Sequence, residues 1–490
     1  MANLKSLAKD TVIYGFTSIV GRFLNYLLVP LYTAKISAAS GGYGVITNIY
    51  SYVALIIIIL TFGMETTFFR FSNKDDEKPA DVISTSLLAV SGVSLLFVAL
   101  IFLSLPWLAP AMGYADHPSY ISVMAVVVAL DAVQSILYAY LRYQHRPIKF
   151  ATLKFLFIIL NILLNLLYFL WLPELYKSYP DVIGKIYDPT VGVGYAFYLN
   201  LVCTGITTLC FYKEFASIHY RIDWTLLKRM LKYTWPLLLL GIVGILNQTA
   251  DKILYPYIDK TANGRVQLGI YGAACKIAMI MAIITNAFRW AYEPFVFGKS
   301  RDKDNREAYA AAMKYFIIFT LLAFLMVMAW IDILKFIIAP DYWEGLKVVP
   351  IVMAAEIMMG VYFNLSFWYK LTDKTVWGAI FSLIGCAVLV TINIVFVPKF
   401  GYMACAWGGF AGYGISMVLC YLVGRKYYPI DYPMKDILVY TALTLIIFIA
   451  YTFLQFDNPW LNMAYRTVLL GVFIVVLAKR ENLAKMLKRK

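Results

Sequence analysis

Runs of Leu, Ile, Val and Phe, each about twenty residues long, alternate along the chain with short polar stretches. None of them shows the period-two alternation of a barrel strand. A run of this length crosses the hydrocarbon core as a helix. The pattern predicts fourteen spans, at approximately 11–33, 45–69, 82–105, 119–141, 150–172, 191–212, 233–256, 266–294, 310–331, 346–369, 375–397, 402–423, 436–454 and 460–478. The longest polar stretches, near 172–190 and 213–232, are too short for a separate soluble domain. The first span, with Lys5 and Lys9 before it and "SAAS" after it, has some features of a signal peptide. It is too long for an h-region and is interrupted by Arg22 and Asn25, so it is expected to stay in the protein. The expected fold class is an all-α polytopic membrane protein.

The pattern also repeats. At an offset of 228, Tyr43-Gly44 falls on Tyr271-Gly272, Ala54 on Ala282, Glu65 on Glu293, Phe69 on Phe297, Tyr114 on Tyr342 and Asn165 on Asn393. Upstream the offset is 226, which places Pro30 on Pro256, Arg22 on Gln248 and Asn25 on Asp251. Spans 1–6 and 7–12 therefore read as two copies, with 13–14 appended. The expected organisation is an N-lobe at 1–220, a C-lobe at 221–430, and two extra helices with a basic tail at 431–490. Six is an even number, so both copies enter the membrane in the same sense. Parallel repeats of this kind place a substrate site near the midplane, in a central cavity between the copies. That is a transporter architecture.

Composition sharpens the picture at two points. The chain is 62% hydrophobic and only 14% charged, where a soluble protein would carry roughly a quarter charged residues. Its net charge of +15 would suggest nucleic acid in a soluble protein. Here 28 of the 43 Lys and Arg lie in the segments on one side of the predicted membrane, and few lie on the other. That asymmetry is the positive-inside rule: it predicts cytoplasmic termini and no nucleic-acid partner. The terminal "KRENLAKMLKRK" is expected to rest on anionic headgroups. All six cysteines fall inside spans without metal-ligand spacing, and His117, His145 and His219 lie in three separate loops. No metal, cofactor or catalytic residue is expected.

The chemistry lies in the ionisable residues inside the spans. Burying an Arg at mid-bilayer costs about 2.5–3.5 kcal/mol on insertion scales, so such groups are expected to face a wet cavity or each other. Arg22 is about three turns into its span, too deep to reach the interface easily. Tyr14, Ser18, Arg22 and Asn25 recur at helical spacing, and Gly241, Gly244, Gln248, Asp251 and Tyr255 do so in span 7. Two such stripes would form a hydrated cleft whose fixed cation suits an anionic headgroup, because a guanidinium matches phosphate bidentately. The alternative for Arg22 is a structural ion pair with Glu65 or Asp131. Lys154, Lys252 and Lys276 are further candidates for substrate contact, with snorkelling to the interface open for the first two. Glu65 and Glu293 occupy matching repeat positions and suit paired gate residues. Arg289 with Glu293, at i,i+4 near the cytoplasmic end, reads as an internal pair or as half of a gate. Asp131 and Glu356, mid-span in helices 4 and 10, are candidates for coupling to an ion, H+ or Na+.

Three stretches carry a family resemblance. "SGGYGVITNIYSYVALIIIILTFGMETTFFRF" resembles helix 2 and its exit in polysaccharide exporters of the MOP superfamily. "LRYQHRPIKFATLKFLFIILNILLNLLYFL" and "TINIVFVPKFGYMACAWGGFAGYGISMVL" are similar to that family's Asn-rich helix and its Pro-x-x-Gly turn into a small-residue helix. "GYMACAW" departs from the family's Gly-Ala-Ala but keeps mostly small residues; the long stretch "PELYKSYPDVIGKIYDPT" has no counterpart that explains it. The resemblance implies a Wzx-type flippase in the bacterial cytoplasmic membrane. It would move undecaprenyl-pyrophosphate-linked oligosaccharide to the periplasmic leaflet for O-antigen, capsule or exopolysaccharide assembly. Membrane lipids and the polysaccharide polymerase machinery would be its partners, and Arg466 would line a groove for the lipid tail. A lipid II flippase and a multidrug/cation antiporter of the same superfamily are the alternatives. An antiporter should offer carboxylates where helix 1 offers Arg22. An O-antigen polymerase or ligase would need a large external loop with Arg or His, which the sequence lacks.

Overall fold

The computed structural model describes residues 26–74, 77–299, 306–372 and 374–481, with the side chains of 262 and 290–299 excepted. Among these residues there is no strand, and thirteen helices are long and apolar enough to cross a membrane. Most of the first expected span lies outside the described residues; its described end is α1, Leu28–Lys35. The remaining helices follow the predicted spans in order. They are α2 (Gly42–Thr61), α3 (Pro79–Ala111), α4 (Pro118–Tyr143), α5 (Pro147–Leu166), α6 (Tyr195–Leu209) and α7 (Trp224–Ile258). After them come α8 (Ala262–Lys299), α9 (Arg306–Ala329), α10 (Val349–Leu365) and α11 (Val376–Phe400). The last three are α12 (Tyr402–Tyr427), α13 (Met434–Phe453) and α14 (Pro459–Arg480). Several helices outrun their apolar cores, because hydropathy marks the hydrocarbon depth while capping residues set the ends. Pro79, Pro118, Pro147 and Pro459 each open a helix where no amide partner is needed. The Asp223 carboxylate caps α7 by accepting from the Thr225 and Leu226 amides.

The chain divides into two compact units, one ending at Gly269 and the other beginning at Ile270. In the first, α4 packs against α3, α2 and α6, and α2 packs against α7. Gly44 meets Gly269 here so closely that a Cβ on Gly269 would sit 2.9 Å from the Gly44 amide nitrogen. Small residues permit such close helix contact. The expected Asn-rich helix holds together through its own amides: Asn165 donates to Asn161 Oδ1 (3.0 Å) and accepts from the Tyr32 hydroxyl (2.8 Å).

In the second unit, α11 lies along α12, α12 along α10, and α9 against α10, α13 and α14. Gly385 and Gly412 face each other, a Cβ on either falling within 2.8 Å of the other's carbonyl oxygen. Ala404, Cys405 and Ala406 are buried, which explains why "MAC" serves where small residues are needed. The hairpin α13–α14 is fastened to α9 at both ends. At one end Lys314 lies 2.9 Å from both Asp436 and Glu481, and Arg480 lies 2.7 Å from Asp436. At the other, buried Arg466 donates to Asp332 at 2.9 Å. The Arg466 guanidinium, expected to line a lipid groove, is thus engaged in an ion pair.

Of the positions that matched in sequence, Tyr43, Gly44, Tyr114 and Asn165 are buried in one unit and Tyr271, Gly272, Tyr342 and Asn393 in the other. Their recurrence reflects packing.

Candidate functional site

The first unit gathers four ionisable side chains from three helices. Gly63, at φ +73°, ends α2 in a left-handed conformation that glycine adopts without a Cβ clash. The chain restarts as the short helix Met64–Ser72, which carries Glu65 in its first turn. Glu65 forms an ion pair with Arg142, in the last turn of α4, where a cation also complements the helix dipole. The Arg142 guanidinium lies 5.0 Å from the centroid of the Phe69 ring.

Asp131, Tyr138 and Arg142 recur on α4 at spacings of seven and four, and so share a face. Lys154 of α5 reaches this face with its Nζ 4.0 Å from the centroid of the Tyr138 ring. Asp131, Glu65 and Arg142 are the charged groups around it. Two acids and two bases form one balanced group.

A neutral hydrogen-bonded strip extends from Asp131. The Thr204 hydroxyl of α6 is within reach of the Asp131 carboxylate and of Asn200 Oδ1, 3.3 Å away. Asn200 donates to the Tyr50 hydroxyl at 2.7 Å, and Gln134 donates to the Thr208 hydroxyl at 2.8 Å. These partners fix the position of a charge that would otherwise be costly in a membrane.

The other sequence candidates lie elsewhere. Arg22 and Asn25 are outside the described residues. On α7, Gln248 is exposed, and Lys252 donates to both oxygens of buried Asp251 at 3.0 Å and to the Gln248 carbonyl at 3.0 Å. Asn48 of α2 holds this turn by donating to the Lys252 carbonyl at 2.8 Å. In the second unit, Lys276 on α8 and Glu356 on α10 are half-buried. Arg289 lies 4.8 Å from the centroid of the Phe363 ring. The Glu293 side chain lies outside the described ones.

Arg142 was not among the expected site residues. It sits at the end of its span, where it reads as one more charge of a basic loop; its helical register with Asp131 is the signal that marks it. Tyr138, Thr204, Asn200 and Tyr50 carried no signal, because single hydroxyls and amides are common in apolar helices.

The model of a family described as polysaccharide biosynthesis protein matches residues 7–294, more than half of the chain and the part that holds this charge group. The chain belongs to that family. No curated protein matches it. Among solved structures it is similar to the lipid II flippase MurJ in an inward closed conformation, with a TM-score of 0.70 and 17% identity over 96% of this chain and 99% of that one. It is also similar to an inward-facing multidrug resistance MATE family transporter of the MOP superfamily, with a TM-score of 0.64 and 15% identity over 85% of this chain and 97% of that one. The family member thus has the fold of the MOP-superfamily transporters, in an all-helical multi-pass membrane protein.

Proposed function

We propose that this chain is a flippase for undecaprenyl-pyrophosphate-linked oligosaccharide. It would carry the lipid from the cytoplasmic to the periplasmic leaflet of the bacterial cytoplasmic membrane by alternating access, with both termini cytoplasmic. The product would feed the polysaccharide polymerase machinery. The observation that carries the reading is the Glu65–Arg142 ion pair, with Asp131 and Lys154 beside it, set in a chain of the polysaccharide biosynthesis family. In a medium of low polarity a cation is not left bare, so Arg142 waits against Glu65 and Lys154 against the Tyr138 ring. A pyrophosphate offers more charge and more acceptor oxygens than either acid, and an Arg can bind it bidentately. Arriving lipid would displace Glu65 from Arg142 and draw Lys154 to the same phosphates. A proton taken up by Glu65 or Asp131 would leave the group net positive and favour the same exchange. Protonation and substrate binding are then linked, which makes H+ the coupling ion of this reading. Arg22 and Asn25 of the first span would extend the cationic surface, with Gln248, Asp251, Lys252 and Lys276 as further contacts. Glu293, Arg289 and Glu356 would serve gating or coupling in the second copy.

Translocation by the purified chain in vesicles tests this. Fluorescent undecaprenyl-pyrophosphate oligosaccharide should cross between leaflets faster than in protein-free vesicles, and lipid II should cross slowly. Fast movement of lipid II alone would make the chain a lipid II flippase. Movement of organic cations alone would make it an antiporter.

A further inference from the structure

The stretch "PELYKSYPDVIGKIYDPT", which the transport reading does not use, is ordered. After α5 the helix widens into one π turn at Leu167–Trp171, continues as Leu172–Ser178, breaks at Tyr179 and resumes as the single turn Pro180–Ile183. A ladder of rings ties one side to the protein. Tyr176 packs on Tyr187 (centroids 5.9 Å apart), Tyr187 stacks on Tyr195 (5.4 Å) and Tyr195 packs on Tyr168 (4.9 Å). The Tyr195 hydroxyl also accepts from the Asp188 amide at 2.7 Å. Leu172 is buried, and Tyr176, Ile183 and Tyr187 are half-buried on this inward side.

Each inward position has an apolar neighbour that is not covered. Leu175, Tyr179, Val182 and Ile186 are 43%, 63%, 66% and 58% exposed. The polar residues Glu174, Lys177, Asp181 and Lys185 fill the intervening positions, also exposed, with Lys177 and Glu174 paired at 3.1 Å. The uncovered residues continue the exposed apolar surface of α5 and the π turn after it, Leu156, Ile159, Leu163, Leu170 and Trp171, which in a membrane-spanning helix faces lipid. The segment lies at the opposite end of α5 from Arg146 and Lys149, which hold buried Glu214.

We infer that residues 172–187 form an interfacial element that lies along the membrane surface, with Leu175, Tyr179, Val182 and Ile186 inserted at the headgroup–acyl boundary. The occupant of this face is the bilayer, because the face continues a lipid-facing helix without interruption. Three properties fit: an inner side fixed by rings, a second side apolar and bare, and a third polar and charged. Trp171 and the tyrosines suit the depth at which aromatic side chains settle in membranes. Between 172 and 190 there are two lysines against three acids, so attraction to anionic lipid does not drive the contact. Apolar burial does.

The test places single cysteines, in a chain with its own six replaced, at 175, 179, 182 and 186 and at 174, 177, 181 and 185, each carrying a polarity-sensitive fluorophore. In phosphatidylcholine vesicles the first four should emit at blue-shifted wavelengths and lose intensity with spin-labelled lipid. The second four should stay water-like. The first set should quench to the same extent when a third of the lipid is anionic. Water-like emission at all eight would make the segment a solvent-exposed lid. Blue-shifted emission at the first set without lipid quenching would assign the face to protein. Quenching that appears only with anionic lipid would make the contact electrostatic. Each of these three results overturns the inference. Transport is not read in this experiment, so its outcome is independent of the substrate.

Discussion

A salt bridge inside a membrane protein is two facts at once, a cost met and a ligand site held closed. For Lys154 the cost dominates. Its Nζ lies 4.0 Å from the centroid of the Tyr138 ring, and half-buried Asp131 lies on the same face of α4. Removing the base alone leaves a half-buried carboxylate with less compensating charge, which should cost stability. Lys154→Ala should therefore lower the unfolding temperature in detergent and abolish transport. Adding Asp131→Asn should restore the unfolding temperature and leave transport absent; recovery of both would make the pair structural only. Glu65 and Arg142 differ. Their side chains are 45% and 31% exposed, so the pair contributes about 1 kcal/mol or less. Arg142→Lys should keep part of the transport rate, because a point cation retains attraction and loses only the bidentate fit. A rate equal to that of Arg142→Ala would mean that charge alone is not what Arg142 supplies.

Helices in this protein are positioned by what they lack as much as by what they carry. Gly385 of α11 and Gly412 of α12 leave no room for a methyl group, since a Cβ on Gly385 would sit 2.7 Å from the Gly412 carbonyl oxygen. Gly92 of α3 has nothing within 4 Å of the same point. Gly385→Ala should cost about 1–3 kcal/mol through overpacking. Gly92→Ala should be neutral or stabilise by up to about 1 kcal/mol through helix propensity. Thermal unfolding of the two variants side by side checks this, and equal behaviour would show that α11 can move away from α12 at little cost. The fastening of α13–α14 to α9 predicts a further asymmetry. Asp332→Asn removes the partner of an Arg466 side chain that is 9% exposed, and should lower stability. Loss of Arg480, 40% exposed on its side chain, should lower it little.

At the scale of the whole molecule the sequence was most legible where the solvent is most restrictive. Lipid demands that every backbone group be bonded within its own element, so length and apolarity alone located the helices. Tyr114 and Tyr342, or Gly44 and Gly272, stand out in the sequence at a constant offset, and all four are buried. The partner of Glu65 was not legible: Arg142 lies 77 residues away, and at a span end it looked like one charge among many. Nor could spacing show that Lys252 turns back onto Asp251, or that 172–187 keeps one apolar side bare. The basic asymmetry makes a prediction for the chain as a whole. A cysteine placed at 458 should react with an impermeant thiol reagent outside the cell, and one at 145 should not. The reverse pattern would invert the orientation. The central claim is that Arg142 and Lys154 hold the pyrophosphate, and that the carboxylates keep its place and take up the coupling proton but do not bind it. Its most direct test is the translocation rate of undecaprenyl-pyrophosphate oligosaccharide by the double variant Glu65→Gln with Arg142→Gln in vesicles, beside each single variant. The double variant, neutral and without an unpaired charge, should fold as well as the unaltered chain and yet translocate at the protein-free rate; translocation at the full rate would contradict the claim.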